Sequence, residues 1–132
     1  MEDATALSER IARRELSCAE LMAATLERIG RVNPGLNAIV SLREPEVLLA
    51  EAAEADAELA RGERRGWMHG LPHAVKDLEE TAGIRTTLGS PIHADFVPEA
   101  DSETVRRIKG AGAIVIGKTN VPEFGYGSQT YN

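Results

Sequence analysis

Lys76 is the residue whose setting could turn an ordinary side chain into a chemical group. It ends the run Gly70-Leu71-Pro72-His73-Ala74-Val75-Lys76, just before Asp77, which reads as a short strand entered through Pro72. In such a strand Ala74 and Lys76 share one face and Val75 takes the other. A lysine turned into a packed interior loses hydration, which penalises its charged form and lowers its pKa. It then becomes usable as a base. The same residues also fit a surface lysine on an edge strand.

Four further patterns invite chemistry. Gly112-Ala113-Ile114-Val115-Ile116-Gly117-Lys118-Thr119 satisfies the spacing of a phosphate-binding loop. That mechanism needs a flexible loop after a strand, whose N–H groups wrap the phosphates. The intervening alanine and β-branched residues favour the strand itself, and Pro122 interrupts the helix that should follow. His69 and His73 are four apart, but Gly70 and Pro72 between them oppose the helix that would align two metal ligands. His93 is remote, so no metal site is expected. Asp77, Glu79 and Glu80 form an acidic run that reads as a solvated turn. Cys18 lies in a helical pattern and reads as a small buried thiol, not a nucleophile.

The elements that position these residues follow from pattern and capping. Asp3 or Thr5 can cap a first helix running to about residue 14. Ser17 and Glu20 form a capping box for a second, with Leu21, Met22, Thr25, Leu26, Ile29 and Val32 on one side. Asn33-Pro34-Gly35 should end it. Residues 37–42 read as a strand, and Pro45 opens an alanine-rich helix to about residue 60. The cluster Arg61, Arg64 and Arg65 marks that helix's end. Asp101 can cap a helix over residues 102–109 with Val105 and Ile108 inward. Ala113-Ile114-Val115-Ile116 is an apolar run bounded by glycine, the pattern of a strand covered on both faces. Lys118 reads as structural, paired with a carboxylate, and Asn120 as a cap for the next turn. The result is an α/β fold in a single domain over residues 1–132, mainly helical over 1–65 and sheet-forming over 66–132.

At 132 residues the chain can bury roughly two thirds of its surface on folding. Net charge is −6, with 21 acidic and 15 basic residues and few aromatics, which argues against nucleic-acid binding. A lone cysteine rules out an internal disulfide and suits a cytoplasmic setting. The acidic start Met1-Glu2-Asp3 is unlike a secretory leader, and no apolar run would span a bilayer.

The ordered series from Gly70 to Asp77, Ala82 to Ser90, Asp101 to Ala113, Ile116 to Phe124 and Gly127 to Asn132 resembles the amidase signature family, hydrolases with a Ser-cis-Ser-Lys triad. Arg28-Ile29, Asn33-Pro34, Asn37-Ala38 and the alanine-rich helix extend the resemblance to the first half. It implies part of a mixed twisted sheet flanked by helices. Asp77-Leu78 and Ser128-Gln129-Thr130-Tyr131 look closer to stand-alone amidases than to the glutamyl-tRNA(Gln) amidotransferase A subunit. Of the triad only Lys76 is carried over. Both serines of the family lie in a glycine- and serine-rich segment beyond Asn132, and Ser90, Ser102 and Ser128 do not occupy their positions. The chain is therefore expected to be an N-terminal fragment of an amidase, inactive alone.

As the resemblance implies the mechanism, a neutral lysine accepts a proton relayed through the cis-serine, and the second serine attacks an amide carbonyl. At an ordinary pKa near 10.4 only roughly one lysine in a few thousand is neutral at pH 7, so burial has to shift the balance. The turn Phe124-Gly125-Tyr126-Gly127-Ser128 resembles segments lining the acyl side of the site. That makes Gly125, Tyr126 and Gly127 substrate-binding candidates. A turn with Tyr126 packed as core is the alternative. The partner implied is a small-molecule amide, with no cofactor, metal, nucleic acid or membrane. The alternative function is a non-catalytic α/β oligomerisation or interaction module, since an incomplete sheet would leave strand edges that promote self-association.

Overall fold

The computed structural model describes residues 2–130. Met1, and Tyr131 and Asn132 of the closing motif, lie outside the described residues. Helix α1 (Ala4–Ala12) is capped by Asp3, whose carboxylate accepts from the Ala6 N–H at 2.9 Å. Helix α2 (Cys18–Leu36) starts with the expected capping box of Ser17 and Glu20. It does not stop at Asn33-Pro34-Gly35: it carries Pro34 in its last turn and ends on left-handed Asn37. The Asn37 N–H reaches Asn33 O at 2.7 Å, and the Asn33 amide clamps both the N–H and the C=O of Ile39. A side chain thus ends the helix where the proline was expected to do so.

Strand β1 (Ile39–Leu42) leads into α3 (Pro45–Ala60), with Pro45 in the first turn where its missing N–H is no loss. After α3 the arginines are engaged in ion pairs: Arg61 with Glu54 and Glu63, Arg65 with Glu58. Strand β2 (Pro72–Lys76) follows, then a long connection containing a 3-10 turn at Pro91–His93. Helix α4 (Glu103–Gly110) is capped by Ser102, not by Asp101. Asp101 instead accepts from the Ala82 N–H and Lys109 Nζ, both at 2.8 Å, tying the connection to the helix.

Strand β3 (Ile114–Thr119) is central in a three-stranded mixed sheet ordered β1-β3-β2, antiparallel to β1 and parallel to β2. Its buried apolar residues divide between two faces. Ile114 and Ile116 join Ile11, Met22, Leu48 and Ala52 beneath the helical layer, while Val115 joins Val75 and Val105 on the other side. This is the doubly covered strand the sequence pattern predicts. It also accounts for the phosphate-loop pattern, whose last six residues are β3 itself.

Candidate active site

The site is built where β2 and β3 end side by side. Lys76 pairs in register with Thr119, and the Asp77 N–H continues the ladder to Thr119 O at 3.1 Å. The carboxyl ends of parallel strands are where α/β folds place ligands, because the connecting loops converge there. Among the described residues the Lys76 ammonium has no hydrogen-bond or ion-pair partner, and the side chain is exposed. The expectation of a lysine turned into a packed interior is therefore corrected. Ala74 and Lys76 do share a face, but Lys76 is the last residue of an edge strand and none of the described residues covers it.

The buried lysine is Lys118, with a relative exposure of 0%. Its position comes from a bulge. His73 pairs with Val115 and Ala74 with Gly117, so β3 carries one extra residue, Ile116, between them. Val75 then pairs with Lys118, which moves Lys118 onto the face of Val75 and Val115. On the β1 side Arg43 holds the same stretch, its side chain reaching Val115 O at 2.8 Å and its N–H reaching Ile116 O at 2.9 Å. Gly117 is obligatory, since a Cβ would lie 2.2 Å from Ser41 O.

Around Lys118 Nζ stand Glu79 O, Thr81 Oγ1 and Thr86 Oγ1, the hydroxyls at 3.0 Å, with the Asp77 carboxylate 4.0 Å away. Burial lowers the Lys118 pKa, while Asp77, Glu79 and Asp101 act in the opposite direction. Asp77 is fully buried, not part of a solvated turn. It accepts from the Thr87 N–H at 3.2 Å and the Thr87 hydroxyl at 2.6 Å. The expectation that Lys118 pairs with a carboxylate holds. The interior position of Asp77 is not what the acidic run Asp77, Glu79 and Glu80 suggests, because its countercharge, Lys118, comes from a different strand.

The candidate substrate turn is tied to the same frame. The Leu88 N–H reaches Asp77 O at 3.1 Å, and the Phe124 N–H reaches Leu88 O at 2.7 Å. The Ser90 hydroxyl donates to Glu123 Oε1 at 2.7 Å. Gly125 packs so closely on Leu78 that a Cβ would sit 2.7 Å from Leu78 Cδ1. Gly125 and Gly127 both take positive φ. Tyr126 is 85% exposed, so the alternative of a packed core tyrosine is not what the fold shows. The structure thus brings Gly125 beside Leu78, two residues from Lys76. Two clefts of about 510 and 520 Å³, both including Arg43 and Ile84, have neither Lys76 nor the 124–127 turn in their walls.

The remaining candidates have structural roles. His69 is buried, with Nε2 2.9 Å from Ala55 O and Nδ1 accepting from the Arg65 N–H. The Asn120 side chain accepts from the Val121 N–H and donates to Asn37 O, both at 2.9 Å, whereas the expected cap on the following turn is not made: the 3-10 turn Glu123–Gly125 is entered through Pro122 with no side-chain cap. The Cys18 thiol is buried, and desolvation with Asp56 nearby pushes its pKa up to about 12. No helix among the described residues is long and apolar enough to cross a membrane.

Residues 20–132 match the amidase family. The chain belongs to that family. It is 43% identical over 126 residues to the glutamyl-tRNA(Gln) amidotransferase A subunit of Carboxydothermus hydrogenoformans, covering 96% of this chain and 26% of that protein. Its fold superposes on the peptide amidase of Stenotrophomonas maltophilia with a TM-score of 0.82 at 39% identity, over 92% of this chain and 25% of that one. A bacterial aryl acylamidase of the amidase signature family gives a TM-score of 0.87 at 26% identity, over 98% and 27%. This amidase-family chain therefore spans about a quarter of the length of these relatives. Hydrolases and an amidotransferase component stand side by side among them. The leaning toward stand-alone amidases drawn from Asp77-Leu78 and Ser128-Gln129-Thr130-Tyr131 gains no support from the curated relative.

Proposed function

We propose that this chain supplies the lysine arm of a Ser-cis-Ser-Lys amide hydrolase acting on a small-molecule C–N bond. Lys76 is the proton acceptor in this reading. Gly125, Tyr126 and Gly127 flank the acyl group, and both serines come from polypeptide outside these 132 residues. The observation carrying it is the position of Lys76, the last residue of a parallel strand, with Gly125 of the 124–127 turn packed on Leu78 beside it. An exposed lysine is a poor base, so the added polypeptide has two tasks: to bring the hydroxyls and to strip water from the amine.

The isolated chain is expected to show no serine-dependent hydrolysis of simple amides, and clear turnover would overturn the assignment of the serines. In a polypeptide that also carries the serines, Lys76→Ala should reduce kcat by about 10²–10⁴-fold with the fold intact. Retained turnover would remove Lys76 from the mechanism.

A second reading rests on the 43% identity to the amidotransferase component: the donor amide would then be carried by a larger assembly. Comparison of ammonia release from glutamine and from a peptide amide separates the two. Self-association belongs to the same proposal, because β1 and β2 each leave one edge of the sheet unpaired. Sedimentation of the chain at high concentration should show dimers or larger species; a monomer throughout would refute it.

A further inference from the structure

Lys118 is a fully buried charge-bearing group that the proposed reaction does not use. Its surroundings fix its protonation through the hydrogen bonds they can offer. The Thr81 hydroxyl donates to Glu79 O and the Thr86 hydroxyl to Ile84 O, each at 3.0 Å. Each hydroxyl has one proton, so both are left only as acceptors toward Lys118. Glu79 O is a carbonyl and can only accept. Three acceptors converge on one nitrogen, and three N–H donors exist only in the ammonium form. A neutral amine would leave one acceptor facing a lone pair.

The charged groups around it agree. Asp77 and Glu79 lie on the turn after β2, Asp101 precedes α4, and β1 presents uncharged Ser41. Lys109, the nearby cation, is engaged by Asp101. The acceptors span residues 79–86, and the compensated carboxylate, Asp77, is bonded directly to Lys76.

We infer that Lys118 is a protonated tie, a positioning residue that locks the turn after β2 and so fixes the strand end presenting Lys76. The inference rests on the proposed role of Lys76 for its functional meaning, but its test needs no turnover. Without Lys118, Asp77 would be a buried anion next to the amine meant to lose its proton. That is the wrong sign for a base.

The test compares the chain with a Thr81→Val/Thr86→Val double variant, which removes two acceptors, and a Thr81→Ser/Thr86→Ser variant, which keeps them. Nitrogen-detected NMR should show a slowly exchanging Lys118 ammonium at pH 8 in the parent and serine forms. The valine form should lose that signal and exchange the Thr87 and Leu88 amides about tenfold faster. Acylation of Lys76 relative to Lys109 should change by about threefold in the valine form and return in the serine form. A neutral Lys118 amine in the parent, or unchanged amides and Lys76 reactivity in a folded valine form, would overturn the inference. If the valine form does not fold, the parent spectrum and the serine form decide it. Failure of Lys76 as the base would leave these signals untouched.

Discussion

Leu88 and Phe124, two non-glycine residues held at φ 55° and 49°, are joined by a 2.7 Å hydrogen bond from the Phe124 N–H to Leu88 O. Left-handed backbone costs an ordinary residue about 1–2 kcal/mol, so both ends of this bond are strained. Leu88 is in turn held to Asp77 O. The strain lies where the turn near Lys76 meets the candidate acyl turn. Asparagine tolerates this conformation and valine does not. Phe124→Val should therefore unfold about 1–2 kcal/mol more easily than Phe124→Asn in matched denaturant titrations. Equal midpoints would show that the backbone there is relaxed.

The two lysines of the strand pair should behave oppositely. Lys118→Met takes the buried countercharge away from Asp77 and one donor from each of three acceptors, and should cost about 3–5 kcal/mol in urea unfolding. Lys76→Met removes an exposed side chain without a partner, and should change stability by less than about 0.5 kcal/mol. A costly Lys76 substitution would mean that the amine has contacts in solution that the fold does not show.

Cys18 offers a pH test at the alkaline end. Its folded pKa is pushed up to about 12 by burial and by Asp56. The native state therefore keeps a proton that the unfolded thiol loses above its ordinary value. Stability should be fully present below about pH 8.5, and should fall as pH rises from there toward 12. Cys18→Ala should flatten that slope, and the native thiol should resist a disulfide reagent at pH 8 until the chain is unfolded.

At the acid end His73 is the group to follow. Burial lowers its pKa, so the folded state binds a proton less readily than the unfolded chain. Its contribution to stability is present above about pH 6.5 and is lost as pH falls through the depressed folded value. The ring resonances should titrate below the ordinary histidine range. A midpoint at or above it would contradict the packing of β2.

Gly117→Ala should be severely destabilising, by about 3 kcal/mol or more, because the new Cβ would collide with a backbone oxygen that cannot move alone. Gly83→Ala is the control for positive φ, since a Cβ there meets nothing within 4 Å. Similar losses in the two would mean that conformation, not collision, sets the cost.

Much of this architecture is legible in the chain. Ser17 and Glu20 announce α2, Pro45 opens α3, and the apolar run of β3 declares a strand covered on both sides. What escapes is governed by partners distant in sequence. Pro34 reads as a stop until the Asn33 amide is seen holding Ile39, and Asp101 reads as a cap until Ala82 and Lys109 claim it. At the site, Lys76 and the glycines of the acyl turn are marked by local pattern. The interior pairing of Lys118 and Asp77 is not, because a single inserted residue reverses which side of β3 a side chain takes.

The order of strands also constrains how the chain is born. Both neighbours of β3 precede it in the polypeptide, so neither has a pairing partner until the ribosome has released residues as far as Thr119. Residues 39–42 and 72–76 must wait as unsatisfied edges throughout that interval. Synthesis speed across residues 77–113, and any chaperone waiting at the exit tunnel, therefore bears on whether the lysine arm ever takes shape.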